Sequence, residues 1–178
     1  MVEQEDSILV RQCLEGDRAK FGKLVKKYTK PIYNLALRMV GDGENAADVA
    51  QTTFIKAFEN LDKFDLNLKF FSWLYRIAIN ESLNFIQKQK STDQLDEEIP
   101  SVDGSPDEQV QRRERTEMIQ QAVLTLTPEQ RSVVVLRHFM DLSYTQMSAT
   151  LGITEARVKS RLFSARQHLR KLLVKRGL

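Results

Sequence analysis

This sequence contains little of what catalytic and metal sites are made from. Its 178 residues include one cysteine, Cys13, and two histidines, His138 and His168. A structural zinc site takes about four such ligands, and a disulfide takes two cysteines, so neither is expected. A lone thiol also suits a reducing compartment. Because Cys13 falls among the apolar positions of a predicted first helix, we expect it to be buried.

Other signals are missing as well. No apolar run approaches the roughly 20 residues of a membrane span. The acidic start, MVEQEDSILVRQCLEG, lacks the basic-then-apolar order of a signal peptide. There is no P-loop and no glycine-rich dinucleotide turn. We therefore expect a cytoplasmic protein that is not an enzyme, has no cofactor, metal or small-molecule substrate, and does not insert into membranes.

No segment shows the alternation of a half-buried strand, so the predicted fold is all-α. The second helix contains Pro31, which should break or kink it. Three later helices have clear caps at Thr127, Ser143 and Thr154. The predicted helices cover about 5–14, 17–39, 46–61, 69–88 and 114–126, and then the three segments after those caps, the last reaching about residue 175.

Charge divides the chain into three parts. Residues 18–40 are basic without an acid, residues 154–178 carry one acid among many bases, and residues 91–110 are acidic without a base. The acidic stretch is also rich in Ser, Pro and Gly, which is typical of a flexible linker. We predict two small helical domains, 1–90 and 113–178, joined by a linker over 91–112 that leaves them free not to touch. Two basic blocks favour a polyanion as partner.

The helix over residues 69–88 has an unusual polar face. At about 100° per residue, Phe71, Leu74, Ala78 and Phe85 form the face to be buried. The opposite face carries Lys, Arg, Asn and Gln together with Trp73, which is the only tryptophan in the chain. An aromatic ring among cations and amides suits stacking on nucleobases. The alternative is that a loop or a neighbouring helix covers Trp73.

The end of the chain, SYTQMSATLGITEARVKSRLFSARQHL, has the layout of a helix-turn-helix. Gly152 supplies the turn, where a positive φ is expected. Val158, Leu162 and Ala165 should pack the second helix inward. Its other face, with Lys159, Ser160, Phe163 and Gln167 flanked by Arg157 and Ser164, suits entry into a major groove. The alternative is a helical hairpin whose basic face is only solvated.

Three stretches together resemble one family. DVAQTTFIKAFENLDKFD, FSWLYRIAINESLNF and LTPEQRSVVVLRHFMDLSYTQMSATLGITEARVKSRLFSARQHL, in that order, are similar to bacterial extracytoplasmic-function (ECF) sigma factors. The resemblance implies a sigma region 2 helical bundle and a sigma region 4 helix-turn-helix. It implies RNA polymerase core, through its β′ clamp and β flap, and promoter DNA as partners. An anti-sigma factor is a further expected partner, and a membrane-bound one would hold the protein at the inner membrane.

The resemblance also implies roles for particular residues. The loop over residues 61–68 would hold a base flipped out of the duplex, at a cost of a few kcal/mol. Thr52 departs from the Glu that many relatives carry, and Ser164 from a basic residue. The implied polymerase contacts are Asp48, Gln51, Thr52 and Ile55. The implied −10 contacts are Phe64, Lys69, Trp73, Arg76, Asn80 and Asn84. The implied −35 contacts are Arg137, Arg157, Lys159, Ser160, Arg161, Phe163, Ser164 and Gln167.

Two other functions fit parts of the pattern. A free-standing helix-turn-helix regulator with an N-terminal dimerisation or sensing domain would bind a duplex operator without polymerase. A protein-interaction adaptor would show no dependence on DNA. The acidic linker has two interpretations of its own: a mimic of RNA in the exit channel of polymerase, or a solubilising tether.

Overall fold

The part of the chain that the structure describes, residues 2–92 and 117–175, contains helices and no strands, as predicted. The structure is a computed structural model. Most of the predicted linker, residues 93–112, lies outside the described ranges. The helices are α1 (Val2–Leu14), α2 (Ala19–Val40), α3 (Gly43–Glu59), α4 (Phe70–Thr92), α5 (117–124), α6 (Pro128–Val134), α7 (Tyr144–Leu151) and α8 (Glu155–Lys175). A 3-10 turn covers Leu61–Lys63, and a π-helical turn, Val135–Phe139, continues α6.

Pro31 does not interrupt α2, which corrects the predicted break. The helix runs from Ala19 to Val40 with Pro31 inside it. Proline removes one backbone hydrogen bond, but Tyr28 and Ile32, on either side of it, are both buried in the core. Packing of these neighbours against α1, α3 and α4 holds the backbone helical through the missing bond.

Residues 41–43, between the second and third predicted helices, form a junction in which one helix ends and the next begins at once. Gly41 adopts the left-handed conformation with φ of 88° and closes α2. The next residue, Asp42, is the N-cap of α3, and its carboxylate accepts a hydrogen bond from the backbone N–H of Asn45 at 2.9 Å. Helix α3 therefore starts at Gly43, three residues before the predicted start at Ala46.

In the second domain the caps predicted from the sequence are confirmed. Thr127 and Ser143 each form a capping box with the glutamine three residues later. The hydroxyl of Thr154 accepts from the N–H of Arg157 at 3.3 Å. Gly152 has a φ of 65°, as the turn of a helix-turn-helix requires. Val158, Leu162 and Ala165 of α8 are buried, so the described segments form the expected helix-turn-helix.

Helix α4 is longer and more deeply buried than predicted. It continues through Ser91 and Thr92, which the sequence had placed in the linker. Leu74 and Ala78 of the predicted apolar face are buried, but so are Tyr75, Ile79 and Ile86. A single stripe does not account for this burial, because α4 packs against α2 and α3 on one side and against α7 and α6 on the other.

The two domains are docked on one another, which the sequence did not require. One contiguous apolar core runs from α1 through α4 into α6, α7 and α8. Buried Arg131 of α6 links the ends of two helices: it donates to the carbonyls of Met39 in α2 and of Leu124 in α5. Arg38 of α2 bonds Gln120 at 2.7 Å and lies over the ring of Phe139. Burial of the guanidinium lowers the pKa of Arg131 from its usual value.

Candidate nucleic-acid and protein interfaces

The polar face of α4 is mostly exposed. Arg76, Asn80 and Asn84 reach solvent along the helix, and Lys69 does so just before it. Arg76, Asn80 and Asn84 are four residues apart and Lys69 is seven before Arg76, so all four lie on one side of the helix. This side presents cations and amides without an acid among them, which is a surface chemistry suited to the phosphates and base edges of a nucleic acid.

Trp73 is not a free platform on this face. Its ring is half-buried and lies 5.1 Å from the ring of Phe64 and 5.8 Å from the ring of Phe70, measured between centroids. Phe64 is itself buried, with 5% of its surface exposed, so the structure does not present it to DNA as expected. The loop before α4 folds back over the helix, which is the alternative that the sequence left open. These rings set the shape of the loop.

Arg76 reaches across to the second domain. Its Nε donates to the carbonyl oxygen of Thr150 at 3.0 Å, and its Nη2 donates to the carbonyl of Ala149. Both carbonyls lie at the C-terminal end of α7, where the helix dipole is negative and carbonyls lack helical partners. The guanidinium therefore caps the C-terminal end of α7 from outside the helix, although the family resemblance implies a DNA contact for Arg76.

A groove of about 760 Å³ lies between α1 and the loop that precedes α4. The wall from α1 is polar apart from Ile8 and carries Asp6, Ser7, Arg11, Gln12 and Glu15. The wall from the loop carries Leu66, Asn67 and Leu68. The side chain of Asp65 fixes this loop by accepting from both the backbone and the side-chain nitrogens of Asn67 at 2.9 Å. A groove of this size, apolar on one side and hydrogen-bonding on the other, can hold a flat heterocycle such as a nucleobase.

The outer face of α8 is open to solvent. The predicted −35 residues Lys159, Ser160 and Phe163 are exposed, and Phe163 has 65% of its surface accessible. Ser164, Gln167 and Arg157 are also exposed, whereas Arg161 is half-buried. Most large apolar side chains on helices are buried, so an exposed phenylalanine among bases is suited to contact with an apolar group such as a thymine methyl.

Arg137 lies outside α8 but on the same side of the second domain as Lys159 of the outer face of α8. It belongs to the π-helical turn after α6, is half-buried, and donates from Nη1 to the carbonyl of Leu142 at 2.8 Å. Nearby His138 has its pKa lowered by partial desolvation and then by the positive charges of Arg166 and Arg137. Partial burial is the main cause of the lowered pKa, and the two arginines add to it.

The outer face of α3 combines polar and apolar groups. Asp48, Gln51 and Ile55 are exposed, with Ile55 at 50%, and Thr52 is half-buried. Phe58, one turn further along α3, has 38% of its surface exposed. The spacing of 51, 55 and 58 follows a helical repeat and is the signal that identifies Phe58 as part of this face. Exposed apolar side chains within a polar rim are typical of a protein-binding surface.

Two kinds of site are not found in the described ranges. Residues 2–92 and 117–175 hold no group of three or more His, Cys, Asp or Glu side chains that could bind a metal ion. Within the same ranges, no helix has the length and hydrophobicity to cross a bilayer.

Two sequence families match this chain. Residues 24–92 match Sigma-70 region 2 and residues 116–169 match Sigma-70, region 4. The ECF RNA polymerase sigma factor SigW of Bacillus subtilis is 36% identical over 92% of this chain and 94% of its own. The RNA polymerase sigma-H factor of Pseudomonas aeruginosa is 32% identical over 97% and 96%. The ECF RNA polymerase sigma-E factor of Escherichia coli K12 is 30% identical over 91% of both chains.

Solved structures share the fold. CnrH in complex with the cytosolic domain of CnrY superposes with a TM-score of 0.75 at 25% identity, covering 96% of this chain and 98% of the other. The sigma factor RpoE of Bartonella quintana, in complex with the anti-sigma factor NepR, superposes with a TM-score of 0.68 at 24% identity, covering 86% and 96%.

Proposed function

Because this chain belongs to the extracytoplasmic-function group of RNA polymerase sigma factors, we propose how its surfaces divide the work of promoter-specific initiation. As a sigma factor it binds RNA polymerase core and promoter DNA, and an anti-sigma factor regulates it. We assign polymerase binding and −10 recognition to the first domain and −35 recognition to the second. The protein works in the cytoplasm, as an initiation factor and not as an enzyme.

The −35 assignment rests on the exposed face of α8. In a helix-turn-helix the second helix enters the major groove, and the side chains of its first turns meet base edges. Lys159 and Ser160 occupy those turns, and Phe163 follows one turn later. Lysine can reach guanine acceptors, serine can bond a base or a phosphate, and phenylalanine can contact a thymine methyl.

The −10 assignment rests on Arg76, Asn80 and the groove beside α1. A single strand is held by cations along its backbone and by pockets or rings for its bases. Asn80 supplies an amide that can bond a base edge. The groove bounded by Gln12 and Leu68 has room for a base removed from the stack, and such capture offsets the cost of unpairing.

The polymerase assignment rests on the outer face of α3. Asp48, Gln51, Thr52 and Ile55 follow one another along this face, and Phe58 extends it. An apolar centre with a polar rim suits docking on the helical surface of the β′ clamp. The second domain is assigned to the β flap by its family alone.

Run-off transcription with purified core polymerase tests this function. Templates are taken from promoters found by sequencing the 5′ ends of transcripts made after overexpression of the chain. A product that requires both the chain and an intact −35 element is expected. If no template gives a product that depends on the chain, the proposed function is wrong. Binding to a palindromic duplex without polymerase, together with no transcription, would favour a conventional helix-turn-helix regulator.

A further inference from the structure

One tyrosine ring contacts two cations of the proposed −35 surface, Arg137 and Lys159. Tyr144 is the first residue of α7 and is half-buried. The guanidinium carbon of Arg137 lies 5.4 Å from the centroid of its ring, and Nζ of Lys159 lies 5.5 Å from the same centroid. Arg137 comes from the π-helical turn and Lys159 from α8, so this ring is where the two elements meet.

Electrostatics gives the ring a specific effect on these side chains. Two like charges brought together repel one another, and both are long side chains with many rotamers. The face of an aromatic ring is negative and attracts each cation within about 6 Å. A ring that attracts both cations therefore offsets part of any repulsion and restricts each side chain to the orientations that keep this contact.

The ring is itself held in place by its backbone. Ser143 and Gln146 form the capping box on either side of it, with bonds of 3.2 Å and 2.8 Å. The bond from Arg137 to the carbonyl of Leu142 gives that arginine a second anchor. Tyr144 thus offers a fixed site to two side chains that would otherwise move independently.

We propose that Tyr144 is a positioning residue of the −35 surface, and that its ring holds Arg137 and Lys159 in the orientation in which they meet DNA. This inference rests on the proposed −35 function of the second domain. It assigns the positioning of the two cations to the aromatic face of Tyr144, so the tyrosine hydroxyl is not required for DNA binding. Ordering the cations before DNA arrives reduces the conformational entropy that binding would otherwise remove.

The test measures binding of the full chain to a duplex selected by the wild-type chain from a pool of randomised sequence. Fluorescence anisotropy gives the dissociation constant over a salt series for Tyr144→Phe, Tyr144→Leu and a chain with pentafluorophenylalanine at position 144. The fluorinated ring keeps the shape and inverts the charge of the face. Phenylalanine should bind within about two-fold of wild type. Leucine and the fluorinated ring should each weaken binding about five- to twenty-fold.

Two further measurements separate positioning from support of the fold. The salt dependence of binding should be shallower for Tyr144→Leu, because fewer phosphates are then contacted effectively. In a Lys159→Ala background the effect of Tyr144→Leu should shrink, since one of the two cations is already gone. Chemical denaturation of each variant identifies any loss of affinity that comes from unfolding. If Tyr144→Leu unfolds, the variant with the fluorinated ring, which keeps the packing, still tests whether the aromatic face positions the cations.

Each contrary result has a distinct meaning. If the fluorinated ring binds as well as wild type, the aromatic face does not position the cations, and the inference is wrong. Equal losses for phenylalanine and leucine would assign the effect to the hydroxyl and also overturn it. If the wild-type chain selects no duplex at all, the −35 function proposed above fails and this inference fails with it.

Discussion

The two faces assigned to DNA differ in what already occupies them. On α8, Lys159, Ser160 and Phe163 are exposed, and 65% of the phenylalanine surface is accessible. On α4, Arg76 donates to two carbonyls at the end of α7, and the loop covers much of Trp73. The −35 surface is therefore open, while the −10 surface is partly engaged by the domain that carries the −35 surface.

This difference implies an order of events. A duplex can approach α8 while the domains stay docked. Contact of Arg76 with the −10 strand, as proposed, first requires that it leave the end of α7. Carbonyl oxygens at a helix terminus carry only partial negative charge, whereas a phosphate is a full anion and a stronger acceptor for a guanidinium. A nucleic acid can therefore compete for Arg76.

The largest effect is expected from reversing a charge on the open face. Lys159→Glu should weaken binding to the −35 duplex about ten- to a hundred-fold, because a base or phosphate contact becomes a repulsion. Fluorescence anisotropy measures the dissociation constant of the duplex from the chain without polymerase, in which the two domains are docked on one another. The control is Lys171→Glu, the same change at an exposed site on the same helix about 18 Å further along. Equal losses for both variants would mean that only net charge matters.

A several-fold effect is expected on the engaged face. Asn80→Ala should reduce formation of open complexes roughly five-fold, because one hydrogen bond to the single strand is lost. Binding to core polymerase should change by less than about two-fold. Permanganate reactivity of the melted strand and a core-binding titration measure the two steps separately. Equal loss of both would assign this face to polymerase or to folding.

Arg76→Ala should differ from Asn80→Ala in one respect. It removes two hydrogen bonds between the domains, so the docked arrangement should loosen and the radius of gyration in small-angle X-ray scattering should rise. Asn80→Ala, which removes neither of these hydrogen bonds, should leave the scattering curve unchanged. An unchanged curve for Arg76→Ala would show that the shared apolar core is sufficient to dock the domains.

A smaller effect is expected at the junction between α2 and α3. Gly41 has a φ of 88°, and an added Cβ would lie 2.7 Å from Cδ1 of Leu124 in the second domain. Gly41→Ala should lower the free energy of unfolding by about 1–2 kcal/mol from backbone strain alone, with a further loss from the clash. Gly22→Ala is the matched control: it lies inside α2 with nothing within 4 Å and should be neutral or stabilising by up to about 1 kcal/mol.

Chemical denaturation measures both glycine variants. If Gly41→Ala is as stable as wild type, neither the left-handed φ at residue 41 nor the close approach of Leu124 is maintained in solution.

The smallest effect is expected from pH. The pKa of His138 is lowered in the folded protein by partial desolvation and by Arg166 and Arg137. As pH falls through about 6.5, the unfolded chain takes up the proton more readily, so stability falls. His138→Gln should remove that part of the pH dependence. The measurement compares denaturation midpoints at about pH 7.5 and about pH 5.5 for the two chains. Identical pH dependence would show that folding does not lower the pKa of His138.

Local sequence signals predicted the caps well and the buried faces less well. Thr127, Ser143 and Gly152 act through bonds within a few residues, so the sequence alone identifies them. Phe71 and Phe85 were expected on the buried face of α4, but both are only half-buried, while Tyr75 and Ile79 are buried. The helical repeat fixes the spacing of a face but not its exact rotation, because the rotation depends on which neighbour packs there.

In the candidate site, too, the sequence identified single residues but not the contacts between distant ones. The sequence identified Lys159, Phe163, Arg76 and Asn80 as surface residues of two helices, and the structure exposes all four. It did not identify the ring of Tyr144 between Arg137 and Lys159, or the wall that α1 gives to the groove. Those relationships join residues far apart in the chain, and periodicity carries no information about them.

The sequence by itself determined the all-α character, the helix-turn-helix, most of the helix boundaries and the charge of each block, because hydrogen bonds within one turn and hydrophobic spacing set these. Only the tertiary structure decided that the domains dock, that Pro31 leaves α2 unbroken, that Trp73 is covered and that Arg76 caps α7. Each of these depends on what a distant segment places beside the residue, where burial and carbonyl acceptors outweigh local preference.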